Sequence, residues 1–265
     1  MTDLQLGLAQ LSFEWGAPED NFTKAVRWIE AAADQNLDLV LLPELWASGY
    51  DLEHSDRYAQ PRDAGLFRRM KEEAEEHGLI LGGSLLEKDQ SGVYNTFYLY
   101  GQDLEAYYRK IHLFRLLEEE KWLKPGRHLT TLTWNHVKIG LATCYDLRFP
   151  EMFRAYAVQG VELVLLVAEW PQSRIGHWQK LLQARAIENQ YFVAAVNKVG
   201  TSQGQPLGGR SALIDPGGNV LEEAGSEEEL LTGRIQLGEV EKARRWIPIL
   251  QDRNPAAYQR IEEVS

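Results

Sequence analysis

The chain has 265 residues, 44% of them apolar, and a formal charge of -11, with 28 Lys and Arg against 39 Asp and Glu and no extended basic cluster. That balance argues against nucleic acid and membrane surfaces as partners, although one or two local cations would still hold an anionic small molecule. A single cysteine, Cys144, excludes an internal disulfide framework and fits a reducing, cytoplasmic setting. Met1 to Gln5 lacks the pattern of a signal peptide, and no apolar run approaches the length of a membrane span.

Leu4 to Leu11 alternates and reads as a strand. The spacing of Phe22, Val26, Ile29 and Ala33 predicts a helix over 18–35. Leu37 to Leu42 is a continuous apolar run, expected to be a strand buried on both faces. A charged amphipathic helix comes next over 64–77, ended by Gly78. Strands are expected over 79–85, 93–100 and 104–108, the last two joined by a turn at Gly101-Gln102-Asp103. Arg109 to Thr130 has no clear period and reads as a functional loop with a helical turn. The second half repeats the first in outline, with a strand to Thr143, a helix over 150–159 and a strand over 162–167. After these come a helix over 177–190, a strand over 191–197, a hairpin turning at Pro216-Gly217-Gly218-Asn219 and a strand over 230–237. A short helix ends near Trp246, and residues 247–265 form a tail. With no linker dividing it, the chain reads as one α/β domain over 1–265, with two stacked sheets and helices outside.

Three polar residues end otherwise apolar or aromatic stretches. Glu44 follows Leu42-Pro43, Lys110 follows Tyr107-Tyr108-Arg109, and Cys144 follows the run 137–143. If these strands end on one edge, a carboxylate, an ammonium and a thiol converge. The carboxylate can take the thiol proton, the ammonium can hold an oxyanion, and the thiolate can attack an acyl carbon. Each also has an ordinary explanation: a loop-capping Glu, a surface Lys, a small buried Cys. The helix expected after Cys144 would favour its thiolate. The scattered histidines lack metal-ligand spacing, so no metal is expected, while a Cys–His dyad with His112 or His177 stays conceivable.

Leu42-Pro43-Glu44, Tyr108 to Phe114 and Cys144-Tyr145-Asp146-Leu147-Arg148-Phe149-Pro150-Glu151 resemble the signature segments of the nitrilase, or carbon-nitrogen hydrolase, superfamily. Ala184 to Gln190 and the segment from Gly209 to Gly218 are similar to it as well, and the resemblance runs from about Leu4 to Leu237. It implies a four-layer α-β-β-α sandwich, a Glu44–Lys110–Cys144 triad and no cofactor. Glu44 would be the general base, Lys110 the oxyanion-stabilising lysine, Cys144 the nucleophile and the Tyr145 backbone N–H the second oxyanion donor. A second glutamate lies among Glu118, Glu119 and Glu120, and counting back from Pro125-Gly126 favours Glu119. The family also implies a homodimer, with 149–158 and 177–187 as candidate surfaces.

Tyr50, Arg148 and Trp170 are expected on the same rim, with Arg148 suited to a substrate carboxylate and Arg174 a weaker candidate. The wording around them looks most like the bacterial ω-amidase branch, which implies hydrolysis of 2-oxoglutaramate and 2-oxosuccinamate with release of ammonia. Alternatives are deaminated-glutathione amidase, N-carbamoyl amino acid amidohydrolase, an aliphatic amidase or, outside enzymes, a scaffold that kept the fold.

Overall fold

The computed structural model describes residues 3–101 and 103–257. The strands are β1 (Asp3–Gln10), β2 (Leu39–Leu41), β3 (Ile80–Asp89), β4 (Gly92–Gly101), β5 (Leu104–Arg109), β6 (Thr131–Trp134), β7 (Val137–Thr143), β8 (Leu163–Ala168), β9 (Phe192–Asn197), β10 (Thr201–Ser202), β11 (Gln205–Pro206), β12 (Ala212–Ile214), β13 (Val220–Glu223) and β14 (Glu229–Gln236). The helices are α1 (Pro18–Ala33), α2 (Ser55–Tyr58), α3 (Gly65–His77), α4 (Glu119–Trp122), α5 (Pro150–Val158), α6 (Ile175–Asn189) and α7 (Gly238–Trp246). Of the expected tail over 247–265, residues 258–265 lie outside the described residues.

Two six-stranded sheets form the middle of the molecule, in the orders β14-β1-β2-β3-β4-β5 and β13-β12-β9-β8-β7-β6. Within the first, β1, β2 and β3 run parallel; within the second, β7, β8 and β9 do. Leu6, Leu8, Leu41, Leu99, Ile139, Leu141, Leu165 and Leu213 belong to one buried cluster between the sheets. On the outer face of the first sheet, α1 and α3 cover Val40, Leu81 and Tyr98 with Phe22, Ile29, Phe67 and Met70. The other sheet's strands pack with Phe153 and Tyr156 of α5 and Trp178 and Leu182 of α6. The layers are therefore α-β-β-α, as expected. At about 25 cal/mol per Å² of apolar area, burial on this scale is the main force holding the layers together.

The element expectations hold with small shifts. Helix α1 buries Ala25 and Ala32 more deeply than Val26 and Ala33, which turns the expected face by one residue. The edge strand β6 and the β10–β11 hairpin were not foreseen. A 3-10 turn, Cys144–Arg148, also separates β7 from α5. Among the described residues, no helix is long and apolar enough to cross a membrane.

Candidate active site

Strand β5 runs in the same direction as β2, because β4 lies antiparallel to both β3 and β5. The chain therefore leaves β2 toward Glu44 and β5 toward Lys110 on one edge of the first sheet. Strand β7 of the second sheet delivers Cys144 to the same end. Gly126 lets the Lys110 segment be clamped from outside. Its N–H donates to the Lys110 carbonyl at 2.8 Å, and a Cβ there would lie 2.0 Å from the Arg109 carbonyl oxygen.

Glu44, Lys110 and Glu119 form a buried chain of charges. Lys110 Nζ donates to Glu44 Oε1 at 2.8 Å and to Glu119 Oε1 at 2.7 Å, and all three side chains are 0% exposed. Asn95 Nδ2 donates to Glu44 Oε1 at 2.8 Å, and the Glu169 backbone N–H donates to Oε2 at 3.0 Å. Glu119 accepts from the Tyr50 hydroxyl and from the Phe114 N–H, the latter at 2.9 Å. Of the three adjacent glutamates only Glu119 is buried; Glu118 pairs with Lys121 at the surface, and Glu120 is exposed.

Cys144 has φ +45°, a left-handed conformation that a side chain adopts only when its surroundings enforce it. Asp146 supplies the enforcement. Its carboxylate accepts from the Thr143 N–H at 2.9 Å, the Tyr108 hydroxyl at 2.7 Å and the His112 N–H at 3.1 Å. The thiol donates to the Glu169 carbonyl at 3.8 Å. Tyr145 is the second residue of the 3-10 turn, where a backbone N–H has no partner within the turn.

Burial dominates the electrostatics. It pushes the Glu44 carboxyl up, Lys110 opposes that, and Glu119 adds to it. Burial alone would lower Lys110, but the Glu119 and Glu44 carboxylates overcome it and hold the ammonium charged well above its usual range. The Cys144 thiol is pushed well up, first by burial and then by Glu44, with Lys110 opposing. This corrects the expectation of a thiolate favoured by the following helix. Burial and the facing carboxylate together favour the neutral thiol. The arrangement suits a base-assisted nucleophile, whose proton moves as attack occurs.

Cys144, Tyr50, Glu169, Trp170, Arg148 and Arg174 line one cavity of about 350 Å³. The Arg148 guanidinium lies 4.7 Å from the centre of the Trp170 ring, and that of Arg174 lies 5.5 Å from the centre of Phe114. Burial, and then the charge of Arg174, lower the pKa of Arg148. Among the described residues neither arginine has a carboxylate partner; Arg148 Nη1 approaches only His177 Nδ1, at 3.4 Å. The Cys–His dyad is not formed: His112 Nδ1 pairs with Asp146 at 2.8 Å, and His177 sits by Arg148. Sequence reasoning did not single out Asn95, Asp146, Glu169 or Lys198. Their signal is polar residues within or ending buried strands, as in Asn95-Thr96 inside β4 and Asn197-Lys198 closing β9.

A buried carboxylate–ammonium–thiol centre at the mouth of an α-β-β-α sandwich defines an acyl-transfer hydrolase site. Residues 5–245 match the carbon-nitrogen hydrolase family model, so the chain belongs to the carbon-nitrogen hydrolase family. It is 39% identical over 247 residues to the 2-oxoglutaramate amidase of Bacillus subtilis (strain 168), covering 92% of this chain and 95% of that one. Its fold is similar to that of XC1258 from Xanthomonas campestris, a CN-hydrolase superfamily protein with an arsenic adduct in the active site, at a TM-score of 0.90 and 35% identity over 96% of this chain and 98% of that one. It is also similar to a mutant of the amidase from Nesterenkonia sp. AN1, at a TM-score of 0.86 and 27% identity over 97% of this chain and 96% of that one. That structure has the acetamide moiety of fluoroacetamide covalently added at the active-site cysteine.

Proposed function

We infer that this carbon-nitrogen hydrolase is an ω-amidase, which removes the terminal amide of 2-oxoglutaramate or 2-oxosuccinamate through a thioester on Cys144. The observation that carries the reading is the pair of arginines without carboxylate partners, Arg148 and Arg174, in the same cavity as the thiol. A short substrate with an amide at one end and a carboxylate at the other fits that arrangement. Similarity to a 2-oxoglutaramate amidase supports it.

The bonds of Lys110 to Glu44 and Glu119 support the following order of chemistry. Glu44 takes the Cys144 proton as the sulfur attacks the amide carbon. Lys110, kept charged by Glu44 and Glu119, and the Tyr145 N–H hold the oxyanion. Glu44 returns the proton to the departing nitrogen, which leaves as ammonia. The same carboxylate then draws a proton from water, which attacks the thioester and frees the acid and the thiol. Glu119 keeps Lys110 and Tyr50 in position, and Tyr50 and Trp170 wall the cavity. All these groups lie on one domain, read over 1–265.

The reading includes a homodimer and a cytoplasmic setting. The exposed Val158 of α5 and Ile187 of α6 support the first, and the lone thiol suits the second. Ammonia release from 2-oxoglutaramate by wild type and Cys144→Ala tests the function. Release abolished by the substitution supports it; release by both proteins at equal rates refutes the mechanism.

A further inference from the structure

A second buried ion pair stands in the cavity wall, and the mechanism above does not use its side chains. Glu169 follows β8 and Lys198 follows β9. These strands are parallel neighbours with Ala168 opposite Asn197, so the two side chains start from adjacent points on one sheet edge. Lys198 Nζ donates to Glu169 Oε2, and the side chains are 2% and 3% exposed respectively. Among the described residues, Glu169 Oε1 accepts no hydrogen bond. The Glu169 backbone is engaged separately, through its N–H with Glu44 and its carbonyl with Cys144.

Glu169 lines the cavity that also contains Arg148 and Arg174. A lone carboxylate there would oppose their field in a poorly screened setting and would repel an anionic substrate. Lys198 cancels that charge, and breaking a buried pair from one side leaves the other charge uncompensated.

We propose that Lys198 is a specificity-determining residue: by neutralising Glu169 in the cavity wall, it leaves the field of Arg148 and Arg174 positive and so favours amides that carry a carboxylate over neutral amides. The proposal rests on the carboxylate-bearing substrate inferred above. It assigns the effect to binding, so it falls on KM more than on kcat, and its sign depends on which member of the pair is removed. A pair that only propped the 168–170 segment would move charged and neutral substrates together.

The test is steady-state kinetics on 2-oxoglutaramate and on neutral butyramide for wild type, Lys198→Met, Glu169→Gln and the double variant. Lys198→Met raises KM for 2-oxoglutaramate about tenfold, Glu169→Gln lowers it, and the double variant returns to within about twofold of wild type, while KM for butyramide does not follow these changes of sign. Glu169→Gln keeps the side chain's shape and a partner for Lys198, so the sign of the effect stays measurable if Lys198→Met does not fold. A wild type with no preference for 2-oxoglutaramate over butyramide overturns the substrate reading and this proposal with it. A wild type with that preference, whose variants shift both substrates alike or whose single substitutions shift KM in the same direction, overturns this proposal alone.

Discussion

The hydroxyl of Tyr108 donates to the carboxylate of Asp146 at 2.7 Å, and that bond ties one sheet to the other across the active site. Tyr108 precedes Lys110 by two residues on β5, and Asp146 follows Cys144 by two residues on the turn after β7. The lysine and the thiol are thereby held in one frame.

Removing the tie misplaces the chemistry without removing any reacting group. Tyr108→Phe leaves buried Asp146 one donor short, a cost of about 1–3 kcal/mol in stability. Small misplacements at a reacting centre are costly, so kcat falls by about 10-fold to 100-fold with KM little changed. Thermal unfolding and steady-state kinetics check this; a large change in KM with unaltered kcat would contradict it.

Glu119 and its two neighbours separate cleanly. Glu119→Gln weakens the charge that holds Lys110 as an ammonium and lowers kcat by about 100-fold or more. Glu118→Gln and Glu120→Gln alter exposed side chains and stay within about twofold of wild type. Equal effects from all three would show that burial is not what distinguishes Glu119.

Cys144 alkylation has a defined pH dependence. Burial and Glu44 push the thiol well up, so inactivation by iodoacetamide is slow at neutral pH and keeps rising beyond the ordinary thiol range. Glu44→Gln removes the facing negative charge and moves the inflection down while abolishing hydrolysis. The same shift fixes the sign for stability. The folded state holds the proton more tightly, so this contribution is intact below about pH 8.5 and is lost as pH rises above that value. Cys144→Ala lacks that alkaline loss. An alkylation plateau below pH 7 would contradict the assignment.

The exposed Val158 and Ile187 give the proposed dimer a direct test. Val158→Asp combined with Ile187→Asp yields a monomer by light scattering if α5 and α6 form the contact. An unchanged mass for the double variant would send the interface elsewhere on the chain.

Much of the site was readable from local patterns. Glu44, Lys110 and Cys144 each interrupt an apolar or aromatic run, and strand order carries all three to one end of the sandwich. The unreadable part depends on partners far along the chain. The Cys144 thiol is raised partly by Glu44, which lies 100 positions earlier, so no local pattern around the cysteine reports it. Glu119 is picked out of its glutamate run only by counting back from Pro125-Gly126 in the family resemblance; composition alone does not separate it, because the folded turn decides which glutamate faces Lys110. Strand β6 is a four-residue edge of half-exposed side chains beside a long loop, and its signal is too short to stand out. The Glu169–Lys198 pair joins the ends of two strands whose apolar runs announce the sheet but not the pairing of the polar residues at its edge.

The most direct test of the central claim is kcat/KM for 2-oxoglutaramate against L-glutamine, an N-carbamoyl amino acid and a neutral amide, measured on the same preparation with Cys144→Ala as control. A preference of at least about 100-fold for 2-oxoglutaramate over each competitor is expected: the neutral amide lacks a carboxylate for the proposed Arg148–Arg174 site, the N-carbamoyl amino acid places its carboxylate closer to the scissile bond, and L-glutamine puts an ammonium, which two arginines would repel, where 2-oxoglutaramate has a neutral oxo group. Efficient Cys144-dependent turnover of a competitor, with 2-oxoglutaramate left largely intact, would contradict it.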